Sequence, residues 1–173
     1  GFDLMGTITP FGSLTGYADD PVVNLTVSGL IIIGGLGFLV WEDLYTHHSW
    51  KKLSLFSKTV LMTSGSLILL GTVCFFCFEY SNPDTLGQLS FPAKVLASYF
   101  QSIIPRTAGF NSIDLAAMTE ASQVLMILLM FIGASSGSTG GGVKVTTVAV
   151  LFAALKAVLL GQKDATLLKR RLN

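Results

Sequence analysis

Residues 104–111 read Ile-Pro-Arg-Thr-Ala-Gly-Phe-Asn, and residues 133–144 read Gly-Ala-Ser-Ser-Gly-Ser-Thr-Gly-Gly-Gly-Val-Lys. Neither run offers a nucleophile beside a base, or a cluster of metal-binding side chains. What both offer is backbone. A glycine accepts dihedrals closed to other residues, so Gly109 could aim successive carbonyls of Thr107, Ala108 and Phe110 toward one line. Carbonyls arranged in that way replace the hydration shell of a potassium-sized ion. The second run surrounds a single cation, Lys144, with glycine, serine and threonine. That composition breaks a helix and leaves an irregular loop, Gly137, Ser138, Thr139, Gly140, Gly141 and Gly142, next to the charge.

Such backbone needs elements to hold it, and the charge pattern shows which. Of 173 residues only 12% are charged, 51% are hydrophobic, and the mean hydropathy is +0.66. A soluble domain carries roughly a quarter charged residues. Eleven basic and ten acidic residues nearly cancel, which argues against a disordered tail and against nucleic-acid binding through bulk positive charge. Residues 21–41 hold no charge, nor do 59–78 or 121–143, and past Lys144 the chain is uncharged again to position 155. About 20 apolar residues cross a bilayer core of ~30 Å, so each stretch is long enough to span.

Two further segments do not fit simple spans. Residues 91–104 carry apolar side chains at helical spacing over about fourteen positions, too short to cross and suited to a re-entrant helix that stops at Pro105. Extended backbone at membrane depth is tolerated where it lines a water-filled or protein-walled path, as 107–110 would. Residues 120–160 are twice too long, roughly 60 Å at 1.5 Å per residue. The glycine run in their middle predicts two half-helices joined by an intramembrane loop, and a charge at that depth marks a functional site.

Basic residues set an orientation. Lys51, Lys52 and Lys58 lie in 42–58, and Lys163, Lys169, Arg170 and Arg171 follow position 160, whereas 79–120 holds only Lys94 and Arg106. The positive-inside rule places 42–58 and the C-terminal tail in the cytoplasm and 79–120 outside. Trp41, Trp50, Tyr45 and Tyr80 fall at or just beyond the span ends, where interfacial aromatics belong. The chain opens on Gly-Phe-Asp-Leu-Met without an initiator methionine, and Gly109-Phe110-Asn111 later leads into Asp114-Leu115 and another span. This weak repeat reads as the end of one helix–loop–helix unit followed by a complete one, in a piece of a longer protein.

Other features carry less. The run 137–144 lacks the Gly-Lys-Ser/Thr order of a phosphate loop, because Val143 separates Gly142 from Lys144. Cys74 and Cys77 form a Cys-x-x-Cys inside an apolar span, better read as small hydrophobes than as a metal or redox pair. His47 and His48 read as solvated or interfacial, and the Asn24-Leu25-Thr26 sequon carries no weight. Glu79 and Asp114 are outer-side acids that either concentrate cations at a mouth or are ordinary solvated loop residues. Arg106, beside the filter run, would repel cations unless paired or turned away, and is expected to brace the filter through hydrogen bonds.

IPRTAGFN followed by FIGASSGSTGGGVKVTT resembles the Trk/Ktr/HKT superfamily of potassium transporters, most closely its Ktr-type membrane subunit. GFDLMG at the start is similar to the tail of that family's second filter loop, and 31–38 to the helix after it. The resemblance implies an all-α polytopic membrane protein of potassium-channel-like membrane–pore–membrane repeats, each with a re-entrant pore helix and a filter loop. Residues 1–58 would be the end of the second repeat, with a transmembrane helix over 21–41. Residues 59–173 would be the third, with a transmembrane helix 59–78, pore helix 91–104, filter 107–110 and a broken helix 121–162 whose loop 134–144 gates the pore. The filter would be Thr107, Ala108, Gly109 and Phe110, with Gly1 from the repeat before. It further implies a plasma-membrane subunit that forms homodimers on a cytoplasmic ring of nucleotide-binding regulatory proteins of the KtrA/TrkA type. Potassium would be the transported ion and sodium a candidate activator, with no cofactor, no enzymatic activity and no nucleic-acid partner. A secondary ion-coupled transporter with a midplane site at the broken helix is the alternative, since such carriers also use Gly-rich helix breaks.

Overall fold

The computed structural model describes residues 12–106 and 108–161, together with the backbone of 166–167 and 170–171. Gly1, Thr107 and the basic residues of the tail beyond 161 lie outside the described side chains. The described fold is helical: α1 Pro21–Leu36, α2 Phe38–Thr46, α3 Leu55–Glu79, α4 Phe91–Ile103, α5 Glu120–Phe131 and α6 Val145–Leu159. After α6, β1 Thr166–Leu167 pairs antiparallel with β2 Arg170–Arg171.

Local chemistry explains the starts. Asp20 caps α1, its Oδ1 accepting the amides of Val22 (2.8 Å) and Val23 (3.3 Å), and Pro21 follows where its missing N–H costs nothing. Ser54 caps α3 by accepting the Ser57 amide at 3.1 Å, and Thr119 caps α5 with Glu120 in the first turn. The buried Asn24 donates to the carbonyls of Tyr17 and Asp20, both at 2.7 Å, and so ties the entry turn to α1.

Of these helices α3 is long and apolar enough to cross a membrane by itself. α1 and α2 pass that test as a pair but bend by 92° at Gly37, and α5 and α6 are shorter apolar helices. The single helix expected over 21–41 is therefore two. Gly37 sits at φ +87°, a conformation a helix cannot contain and one open chiefly to glycine. The indole of Trp41 bridges the bend by donating to the Ile33 carbonyl at 2.9 Å.

Two apolar clusters hold the helices together. One gathers Phe75 of α3, Ala97 of α4 and Leu129 of α5 with Leu86, Ile113 and Met118 from the segments flanking α4. The other gathers Leu36, Val40 and Val60 around the bend. α4 lies against α3 at contact distance: Ser102 Oγ donates to the Ile68 carbonyl at 2.8 Å, and a Cβ on Gly71 would overlap that hydroxyl. Leu69, Leu70, Ile127, Phe131, Leu151 and Phe152 remain exposed around the bundle.

Candidate functional site

α4 ends where the filter run begins. Ile104 caps it by donating to the Phe100 carbonyl, and the Arg106 amide continues the turn to Ile103 at 3.2 Å. The amides of Ala108 and Gly109 both converge on the Ile104 carbonyl, at 3.3 and 3.4 Å. Gly109 then takes φ +79°, which turns the chain out of the helical path as the glycine at this position permits. The next residue but one is held by a distant part of the chain. Asn111 donates its amide to Ser13 Oγ at 3.2 Å and accepts the Leu14 amide at 2.9 Å. The stretch after the first glycine–phenylalanine motif and the stretch after the second are thus hydrogen-bonded to each other.

The helix beneath this turn buries polar side chains. Ser98, Gln101 and Ser102 are all inaccessible, and Gln101 directs its amide nitrogen at the sulfurs of Met126 (3.5 Å) and Met118 (3.9 Å). Its Oε1 has no partner among the described residues. Sequence reasoning passed over these residues, although three polar side chains within five positions of a short apolar helix were the available signal.

The second glycine-rich run is a pinched loop rather than a loose one. Ile132 and Val143 form a parallel bridge, with Gly133 donating to Val143 at 3.0 Å and Val143 donating to Phe131 at 3.1 Å. A Cβ on Gly133 would overlap the Gly141 carbonyl, and Gly142 takes φ +77° directly opposite. Inside the loop Ser138 Oγ donates to the Ser135 carbonyl at 2.5 Å, and Lys144 Nζ reaches back to the Gly140 carbonyl at 2.8 Å. Lys144 also occupies the N-cap of α6, where the helix dipole disfavours a cation. The carbonyl offsets that by accepting the ammonium.

The sequence model for the TrkH family, described as cation transport protein, matches residues 1–172. The chain belongs to this family. It is 44% identical over 165 residues to the Ktr system potassium uptake protein B of Vibrio alginolyticus, covering 93% of this chain and 36% of that protein. It is 45% identical to the protein of the same name from Bacillus subtilis, over 91% of this chain and 36% of that one. The potassium/sodium uptake protein NtpJ of Enterococcus hirae is 39% identical, with 95% and 35% covered. The crystal structure of the potassium transporter TrkH from Vibrio parahaemolyticus superposes with a TM-score of 0.67 at 23% identity, over 91% of this chain and 34% of that one. This chain therefore spans about a third of the length of these relatives. Membership of the TrkH family gives it an all-α, polytopic membrane fold of the membrane–pore–membrane kind.

Within this TrkH-family chain the remaining sequence-predicted residues divide sharply. Glu79 neither faces solvent nor lies free to attract cations. It is fully buried, and its oxygens accept four hydrogen bonds: Asn82 Nδ2 and Thr85 Oγ1 on Oε2, the Thr119 amide and Oγ1 on Oε1, all between 2.6 and 2.9 Å. Asp114 is exposed and accepts the Ala116 amide at 2.9 Å in a local turn. Arg106 makes no side-chain hydrogen bond to another described residue, so the expected bracing bonds are not found. Its buried Nε is unpartnered, and it lines a small cavity with Ile31, Gly35, Ser64, Ile68 and Ala134. Lys94 donates to the Tyr80 carbonyl at 2.9 Å and stacks its ammonium 4.2 Å from that ring. His47 pairs with Asp43 at 3.0 Å, while the other Asp43 oxygen accepts the Ser54 amide and joins α2 to the start of α3. Cys74 and Cys77 are unpaired, and no metal-binding cluster occurs among the described residues.

Proposed function

We propose that this chain is part of the pore-forming subunit of a potassium uptake system. Potassium passes a carbonyl filter formed by Thr107, Ala108, Gly109 and Phe110, with Gly1 serving the preceding repeat. The observation that carries the reading is the left-handed Gly109, set one turn beyond the buried C-terminus of a helix too short to span. A carrier with a midplane site needs a broken helix but has no use for that re-entrant turn. The names of the relatives, potassium uptake and potassium/sodium uptake proteins, agree with the ion.

Residues 134–144, below the filter, obstruct the path as a gate, with Gly137, Ser138, Thr139, Gly140, Gly141, Gly142 and Lys144 as its body. Residues 1–58 close the second repeat and 59–173 make up the third. The whole subunit lies in the plasma membrane with 42–58 and the tail in the cytoplasm. It works as a homodimer on a ring of nucleotide-binding regulators, with sodium as a candidate activator. Substituting Gly109→Ser in the full-length protein tests the filter. A Cβ at φ +79° is strained, and the carbonyls around it turn off axis. Rubidium and sodium fluxes into proteoliposomes should converge, and unchanged rubidium preference would refute the filter.

A further inference from the structure

The run Ile31-Ile32-Ile33-Gly34-Gly35-Leu36-Gly37-Phe38 carries the bend between α1 and α2. Its bend and the pinched loop share their hydrogen bonds. In an unbroken α-helix the Phe38 amide would donate to the Gly34 carbonyl, and the Gly35 carbonyl would accept from Leu39. Here Phe38 donates instead to Gly137 of the loop at 3.1 Å. Gly34 accepts both the amide and the hydroxyl of Thr139, each at 3.3 Å, and Gly35 accepts the Ser135 amide at 3.0 Å. The loop supplies the partners that the helix gave up.

We propose that the α1–α2 break is the seat of the gate, and that the loop is released when α1 and α2 straighten into one helix. This rests on reading 134–144 as a gate. The two arrangements exchange hydrogen bonds: bent, the Gly34 and Gly35 carbonyls and the Phe38 amide hold the loop; straight, they pair along the helix and the loop loses its anchors. An equilibrium between two arrangements that each pair the Gly34 and Gly35 carbonyls and the Phe38 amide is a two-state element, which small changes can bias. Gly37 decides the balance. A Cβ there would lie 2.8 Å from the Ser136 carbonyl and 3.2 Å from Gly137, at φ +87°, so only glycine permits the seated state. Alanine fits a straight helix better than any other residue.

Three variants of the full-length protein, assayed by rubidium flux in proteoliposomes, separate the seat from the gate. Deleting 137–142 tests the gate itself, and flux should rise; flux that stays level removes the gate reading. Gly37→Ala should raise flux several-fold with rubidium-over-sodium preference unchanged. The pair Gly34→Cys and Thr139→Cys, in a background carrying Cys74→Ser and Cys77→Ser, should fall in flux on oxidation and recover with dithiothreitol. This third variant decides the matter if Gly37→Ala fails to assemble. The seat is overturned if the deletion raises flux while Gly37→Ala, normally assembled, does not, or while the fully cross-linked pair conducts as before.

Discussion

Glu79 concentrates more hydrogen bonding than any other described side chain, and it does so where a charged group should be costly. A carboxylate taken out of water needs its lone pairs occupied, and four donors from Asn82, Thr85 and Thr119 occupy them. The effect is to fasten the end of α3 to the start of α5, across a separation of 40 positions that contains α4 and the run 104–111. Removing the carboxylate leaves the buried Thr85 hydroxyl and the half-buried Thr119 amide without their acceptor. Glu79→Ala should therefore destabilise the full-length protein by on the order of 3 kcal/mol, read as a lowered thermal transition in detergent. Lys94→Ala, which loses an exposed hydrogen bond to the Tyr80 carbonyl and the ammonium's contact with its ring, should shift it far less. The acidic residue was visible in the sequence. Its burial was not, because the donors that make burial tolerable come from a loop turn and a helix cap up to 40 positions away.

At the scale of elements, glycine does two separate jobs. In 133–142 it allows backbone to touch backbone: Gly133 packs against the Gly141 carbonyl, and Gly142 turns at φ +77° to make that meeting feasible. At Gly71 it lets α4 approach α3 until Ser102 can reach the Ile68 carbonyl. A larger residue there pushes on α4, because a Cβ would already overlap the Ser102 hydroxyl and touch Leu129. Gly71→Val should cost about 1–3 kcal/mol by overpacking and should weaken rubidium selectivity along with stability. A thermal shift with wild-type selectivity would show that α4 relaxes without moving the filter. The high glycine content of the last hydrophobic stretch reads in sequence as looseness. In the fold it is close contact, since glycine's missing side chain serves tight approach as readily as freedom.

For the whole molecule, the organising fact is that apolar side chains face outward on α3, α5 and α6, as a lipid solvent or neighbouring repeats require. The proposed topology makes a direct prediction. In a background free of Cys74 and Cys77, a single cysteine at the exposed position of Asp84 should react with an impermeant maleimide in intact cells. One at the exposed position of Lys52 should react only after permeabilisation. The reverse pattern would invert the orientation drawn from the lysines, and equal labelling of both would contradict a span between them.

Amino-acid sequence by itself determined the class and the parts list: charge-free runs long enough to cross a bilayer, a short helix stopped by Pro105, and two glycine-rich runs with family-specific spelling. These are properties of local composition, because crossing length and helix breaking depend on a residue and its near neighbours. Tertiary structure alone decided three things. α1 and α2 part at Gly37 rather than at the equally apolar Gly34 or Gly35, Glu79 is buried, and the loop between α5 and α6 is fastened to the bend between α1 and α2. Each depends on a partner distant in the chain. A carbonyl released by a broken helix looks the same in sequence whether water, lipid-facing protein or the Ser135 amide, 100 residues on, is there to meet it.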